Sequence, residues 1–461
     1  MAAAAGSRGG ANLPVLREHN TALVLALLRS ARDHGLSRVG LAARTGLTPQ
    51  AVSKIVGRLR ADGLVAEAGQ RASTGGKPRT VLRLVPDARH AVGLQLDRDE
   101  LTAVLVDLYG RVVAARVTPL DLGAGAGAVV ERAAGEVEAL LAAGARGRHV
   151  LGVGVAMPGP LDHAAGVARR VTRFPEWDGY PLRDAVAARL AMPAVLDKDT
   201  NAGALGLGTV RAVFEDQPAA PPALRPGGPP DAVHRKAVGV PPAQPGGDRP
   251  GTQGEGLRGS VRAIPATQPG GTTRAAGPGG SAAAVVEGPA RSPGQGLGPG
   301  PGAGSGDSYA YLHLGTGLGA GLVLDGAVHR GSRTGAGEFG HQVIELDGPE
   351  CGCGRRGCIE ALCLAAVARG DLAGAARILG AGAANLVALL DIDRVLLGGR
   401  IIESDRAVAE VFVREVHRSA GVPVALAGGG PHLVARGAAE LVLAPLFGGT
   451  TPGPLTPAAG T

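Results

Sequence analysis

All four cysteines of this chain stand between positions 351 and 363 of 461 residues, and that clustering constrains the fold more than any other feature. They close a run that opens Leu314-Gly-Thr-Gly-Leu-Gly-Ala-Gly321 and continues Ala336-Gly-Glu338-Phe-Gly-His341. It ends Cys351-Gly-Cys353-Gly-Arg-Arg-Gly-Cys358-Ile-Glu360. A glycine-rich loop, a carboxylate–histidine pair and a thiol cluster thus follow one another in order. Cys351, Cys353 and Cys358 supply three thiolates and His341 an imidazole, which is the closed Cys3His set of a structural zinc site. Thiolates select zinc over magnesium or calcium, and iron–sulfur chemistry stays open. Gly352, Gly354 and Gly357 allow the tight loop that such convergence needs. The competing reading is a redox disulfide, which is uncommon in cytosolic proteins. Cys363 is badly spaced for a ligand and reads as a buried helix residue.

The charge is concentrated at one end. Residues 1–90 hold 14 Lys or Arg against 5 Asp or Glu, a net +9, whereas the whole chain is +7. A basic end module suits nucleic acid, although a solvated basic face is the plainer alternative. The pattern there predicts a helix–turn–helix. Ser37 caps a helix over Arg38 to Thr45, Gly46 turns the chain, and Thr48 caps a second helix opened by Pro49. Val52, Ile55 and Leu59 face a core beside Leu41 and Leu47. Gln50, Ser53 and Lys54 are then exposed at the start of the second helix, with Arg58 and Arg60 beyond, where base edges and phosphates are met. After Gly63 a hairpin wing follows, carrying Arg71, Lys77 and Arg79 around Gly75-Gly76. A small helical bundle used for dimerisation is the other reading. The apolar run Ala22 to Leu28 is too short to span a membrane or serve as a signal peptide, and reads as the buried face of a first helix. A cytoplasmic protein without membrane attachment is expected.

The 314–360 run resembles the ROK family (repressor, open reading frame, kinase), whose signature joins Gly-Thr-Gly-x-Gly-x-Gly, Gly-Glu-x-Gly-His and Cys-x-Cys-Gly-x-x-Gly-Cys-x-Glu. Gly152-Val-Gly-Val-Ala-Met-Pro158-Gly159-Pro, Asp197-Lys198-Asp199-Thr200-Asn201 and Val395-Leu-Leu-Gly398-Gly399 are similar to further family blocks. Gly75-Gly76-Lys77-Pro78 looks like the wing of its repressors. The resemblance implies an α/β, actin-like, sugar-kinase-like two-lobed fold preceded by an α+β winged helix–turn–helix domain. It places Asp199 at the catalytic-base position, with Glu338, His341 and Glu360 as remaining sugar ligands. Bidentate carboxylates and an imidazole oriented by zinc offer several acceptors to adjacent hydroxyls; bracing the zinc loop is their bland alternative role. Lys198 replaces the usual asparagine, which either tunes the pocket toward an acidic or phosphorylated sugar or weakens binding.

One segment separates kinase from regulator. Where family kinases carry Asp-x-Gly-Gly-Thr against the phosphates, this chain reads Asp97-Arg98-Asp99-Glu100-Leu101. Two added carboxylates repel a triphosphate, and side chains block the close backbone approach, so ATP-dependent transfer is not expected. The expected organisation is a disordered N-terminus (1–12), a winged helix–turn–helix (13–86), a first ROK part (87–214), an insertion (215–307), a second ROK part with the zinc loop (308–448) and a disordered tail (449–461). In the insertion, 39 of residues 218–306 are Gly or Pro, so it cannot offset its ordering entropy and is expected to be disordered. After Glu360 the chain reaches Gly370-Asp371 sooner than the family does, which suggests missing helices. The expected function is a regulator of sugar-metabolism genes, in the repressor form. It would bind an inverted-repeat duplex as a homodimer or homotetramer and answer to a sugar or sugar phosphate. The alternatives are an active sugar kinase with an appended head, and a DNA-binding protein that no longer responds.

Overall fold

The computed structural model describes residues 13–71, 79–145, 147–171, 174–210 and 307–449. The wing tip with Lys77, the first twelve residues, nearly all of the 215–307 insertion and the tail beyond 449 lie outside the described residues.

The chain begins with α1 (Leu13–Ala31), a short strand β1 (Leu36–Ser37), α2 (Arg38–Thr45) and α3 (Pro49–Ala61). Local chemistry sets each boundary. Ser37 Oγ accepts from Gly40 N at 3.1 Å, Gly46 ends α2 at φ +70°, and Thr48 Oγ1 accepts from Ala51 N at 3.2 Å. These are the capping residues expected from the sequence, and each supplies a partner that a helix end lacks. Strands β2 (Val65–Arg71) and β3 (Arg79–Leu84) pair antiparallel, and with β1 complete a three-stranded wing in the order β1-β3-β2. Val52, Ile55, Val56 and Leu59 are buried with Leu41.

Two lobes follow, each built on a five-stranded sheet. The first contains β4 (His90–Leu96), β5 (Glu100–Val106), β6 (Val112–Pro119), β7 (Val150–Met157) and β10 (Ala194–Lys198). A two-stranded ribbon, β8 (Leu161–Asp162) with β9 (Val167–Ala168), lies between the last two in sequence. The second sheet contains β11 (Tyr309–Leu314), β12 (Leu318–Leu324), β13 (Ala327–Val328), β14 (Arg394–Gly398) and β15 (Val424–Leu426). Their orders are β10-β7-β4-β5-β6 and β13-β12-β11-β14-β15. Each sheet is therefore the same device: a three-stranded antiparallel meander extended by two parallel strands on the far side of its first strand. Duplication of one topology is what makes the fold two-lobed.

Helices α4 (Ala126–Gly144) and α5 (Leu182–Leu190) cover the outer face of the first sheet, where Trp177 is fully buried. Helices α7 (Ile359–Ala368), α8 (Leu372–Leu390) and α9 (Arg406–Ala420) cover the second. Between Glu360 and Gly370-Asp371 stands α7 alone, which itself contains Glu360; α8 begins after that segment, and both pack on the sheet behind the cysteine loop. Helix α8 is the one described helix long and apolar enough to cross a membrane, but it is a core helix that packs between α7 and α9.

Two helices lie on the inner faces: α6 (Asp199–Val210) and α10 (Leu433–Leu443). Glycines permit this burial. A Cβ at Gly93 or Gly154, neighbours across β4 and β7, would sit 1.8 Å from the carbonyl oxygen of Ala435 or Ala438. One at Gly437 would meet Ala202 O at 1.7 Å. Helix α10 thus rests backbone-to-backbone on both β-sheet and α6, a contact any side chain would abolish.

The first helix shows why the apolar run Ala22–Leu28 has no polar face. Ala22 and Val24 to Leu28 are all buried, because α1 is covered on more than one side. Head residues such as Leu41 and Leu82 share one continuous core with Ala91 and Val104 of the first sheet and with Leu441 and Leu443 of α10. Arg29 adds a two-pronged ion pair to Glu440 (2.5 and 2.7 Å) and stacks 4.3 Å from the Phe447 ring centroid.

Candidate functional site

The first hairpin turn of each sheet reaches the cleft between the lobes, and there the candidate residues meet. Asp97, Arg98, Lys198, Asp199, Thr200, His313, Thr316, Glu338, His341 and Glu360 line one cavity. All four residues proposed for sugar from the sequence are therefore brought together.

Asp199 stands where β10 gives way to α6, and its carboxylate accepts from Thr200 N at 2.6 Å. Burial pushes its pKa up to about 7; the negative charges of Asp97 and Glu338 add to this, and Lys198 opposes it. Beneath it, the fully buried Asp197 accepts from Asn201 Nδ2 (2.9 Å), Lys198 N (2.8 Å) and Arg330 Nε (2.7 Å). Asp197 is thus a brace that holds the start of α6. Glu360, in the first turn of α7, accepts from Leu318 N at 2.8 Å and fastens the glycine loop to the helix behind the cysteines.

Lys198 does not present a free cation. Its ammonium donates to Glu338 Oε1 at 3.0 Å and to Ala336 O at 2.7 Å, so the pair neutralises itself inside the pocket wall. Of the two Lys or Arg side chains that line the cavity, Arg98 is the one without an ion pair among the described residues, and nothing local in the sequence marks it. Its Nη1 donates to Thr316 O at 2.5 Å across the cleft, and its buried Nε has no partner. No carboxylate of the described residues lies within ion-pair distance of it. Asp97 accepts from Thr316 Oγ1 (3.1 Å), while Arg400 pairs with Asp99 (2.6 Å) and more weakly with Asp97 (3.5 Å). The expectation that Asp99 repels phosphate therefore needs correcting: Arg400 balances that charge, and what fills the space between the turns is the Arg98 side chain.

His341 ends a short helical turn, Phe339–His341, and its Nδ1 lies 3.6 Å from Cys351 Sγ. Cys353 and Cys358 are also 3.6 Å apart, sulfur to sulfur, and all four ligand atoms lie within 4.8 Å of one another. A tetrahedral zinc with Zn–S near 2.3 Å sets neighbouring ligands roughly 3.6–3.8 Å apart, so the donor set fits that ion. None of the three is disulfide-bonded, and the sulfurs of Cys353 and Cys358 lie well beyond disulfide bonding distance. The loop needs Gly357 at φ +65°, where a Cβ would strike Glu345 O. Cys363 lies apart in α7, fully buried, its thiol donating to Ala375 O and its pKa pushed up to about 12 by burial. With Nδ1 turned toward the thiols, His341 keeps Nε2 for the cleft that it also lines.

On the head, Gln50, Ser53, Lys54 and Arg58 are all exposed along α3, and Arg79 is exposed at the start of β3. Arg71 closes β2 next to the wing tip. Arg60 is engaged by Glu67 at 3.0 Å and Arg38 by the same carboxylate at 3.6 Å, so neither is a free phosphate ligand.

Residues 303–368 match the model of the ROK family. Among relatives it is 25% identical over 196 residues to the xylose repressor of Caldicellulosiruptor bescii, covering 42% of this chain and 48% of that one. It is 35% identical over 111 residues to the transcriptional dual regulator NagC of Escherichia coli, covering 24% of this chain and 26% of that one. The chain spans about half the length of the xylose repressors it matches. In three dimensions it is similar to a crystal structure of a ROK family transcriptional regulator, a homologue of the E. coli MLC protein. That match has a TM-score of 0.60 at 18% identity, covering 94% of this chain and 97% of the other, and it supports the two-lobed fold.

Proposed function

We propose that this protein is a sugar-responsive DNA-binding regulator, a repressor by its relatives, that carries structural zinc and does not transfer phosphate. The observation that carries the reading is the shared core. A capped helix–turn–helix, with four polar residues exposed on its second helix, is continuous in packing with the lobe and inner helix that border the effector cleft. A head of this kind suits an inverted-repeat duplex gripped by a symmetric dimer, its α3 residues reading base edges and Arg71, Lys77 and Arg79 reaching the backbone or minor groove.

In this reading Asp199, Glu338, His341 and Glu360 receive sugar hydroxyls. His341 with Cys351, Cys353 and Cys358 holds zinc, which fixes the imidazole and the Glu360 helix together. Sugar contact with Asp199 acts on the first residue of α6. Helix α6 lies against α10 at Gly437, and α10 reaches α1 through Glu440 and Arg29. A ligand that favours one arrangement of these packed helices shifts the spacing of the recognition helices and so the affinity for DNA. Filling of the phosphate space by Arg98 supports the lack of kinase activity.

One observation favours the second reading, an active sugar kinase with a DNA-binding head: a carboxylate titrating near 7 suits a general base. An ATP-turnover assay with glucose, xylose and N-acetylglucosamine tests both. The regulator reading expects no sugar-dependent ADP formation above background together with binding to an operator fragment. Steady turnover would establish the kinase.

A further inference from the structure

We propose that Arg98 is the anion-reading residue of the cleft, so that the effector carries a phosphoryl or carboxylate group beside its sugar ring; this rests on the reading of the cleft as an effector site. From the sequence, Lys198 either takes such a role or weakens binding. The structure assigns that ammonium to Glu338 and Ala336 O, leaving it no unused strong acceptor to seek. Among the other cleft cations, Arg400 is occupied by Asp99 and Asp97, and Arg330 by Asp197. Arg98 alone of these four has no carboxylate partner within 4.0 Å among the described residues.

Its position is also informative. The guanidinium lies over the glycine loop, where a Cβ on Gly317 would come within 2.8 and 2.9 Å of its two terminal nitrogens. A glycine is thus what allows the cation to lie there. The buried Nε makes no hydrogen bond, and Thr200 Oγ1, a second buried donor lining the same cavity, makes none either. A buried donor without an acceptor is costly, more so when charged, and a ligand oxygen relieves that cost. Two residues with unsatisfied donors, one of them cationic, line one cavity beside the sugar carboxylates, and this points to an anion subsite adjoining a polyol subsite. A guanidinium presents a planar fork of N–H donors that suits phosphate and carboxylate oxygens.

Calorimetric titration of the full-length, zinc-loaded protein tests this with paired probes: glucose against glucose 6-phosphate and glucuronic acid, N-acetylglucosamine against its 6-phosphate, and xylose against xylose 5-phosphate. The proposal expects at least one anionic sugar to bind about tenfold or more tighter than its neutral parent. Arg98→Ala should bring that ratio to within about twofold of one, and Arg98→Lys should restore part of it. The two anion types tell a phosphoryl from a carboxylate specificity. Inorganic phosphate should compete with the preferred ligand on the wild type, which keeps the test valid if a variant fails to fold. A neutral sugar binding as tightly as its anionic partners, or a preference that survives Arg98→Ala, overturns the subsite while leaving the effector site standing. Failure of every sugar to bind overturns both.

Discussion

Among the polar contacts between the head and the lobes, the pair of Arg29 and Glu440 can be removed cleanly. Arg29 and Glu440 meet in a two-pronged pair, their side chains only 13% and 7% exposed. Truncating one partner of a buried pair leaves the other charge stranded and costs about 3–5 kcal/mol. Arg29 also loses its place over Phe447, worth roughly 0.5–1 kcal/mol at a partly exposed site. Arg436 still feels the charge of Glu440, which offsets part of the loss, so Arg29→Ala is expected near the lower end, about 3 kcal/mol. Arg29→Leu combined with Glu440→Leu should recover most of this, because neither charge is then buried alone. Urea unfolding of the two single variants and the double variant closes the cycle. If the sugar signal passes through this contact, the double variant should also bind operator with an affinity that sugar no longer changes. A coupling energy below about 0.5 kcal/mol in the cycle, or an undiminished sugar response in a folded double variant, would refute the reasoning.

Protein purified without added metal should hold about one zinc per chain by elemental analysis; Cys353→Ser should lose it and lower the melting temperature, whereas Cys363→Ser should keep it. Lys54→Ala and Arg58→Ala should weaken operator binding and flatten its salt dependence, while substitution of Gln50 should change sequence preference; anisotropy titrations across salt and sequence separate the two effects. Asp199 has a folded pKa raised to about 7 from 3.8, so its stabilising contribution is present below pH 3.8 and is lost as pH rises through 7. Asp199→Asn should therefore stabilise the protein more at pH 8 than at pH 5, by at most about 3 kcal/mol for the two pH units between 5 and 7, and by roughly half that after allowing for its partial exposure. A constant difference across that range would show that Asp199 ionises freely.

How much could be read from sequence depended on whether the signal was local. Ser37, Gly46, Thr48 and Pro49 act on their own helix ends, and the structure has α2 and α3 starting and stopping where those residues require. The cysteine spacing with His341 was equally legible, because a ligand set is a chemical list before it is a shape. Long-range partners were not legible. The two readings of Lys198 stayed open because Glu338 lies far off in sequence, and Arg98 went unremarked because its worth lies in a carbonyl and a glycine of the other lobe. Asp99 read as a repulsive charge for the same reason: Arg400, its partner, is brought close only by the fold. Likewise the burial of Ala22 and of Val24 to Leu28 follows from α10 and Phe447 at the other end of the chain.

The most direct test of the central claim is the operator affinity of the full-length protein with and without its sugar. An inverted-repeat duplex selected by the wild type from random DNA, titrated by anisotropy at fixed salt, supplies the measurement. The account predicts tight binding that falls about tenfold or more when the cleft-binding sugar is saturating, and that is lost in Lys54→Ala with Arg58→Ala. An affinity that no sugar changes, although calorimetry shows the sugar bound, would contradict it.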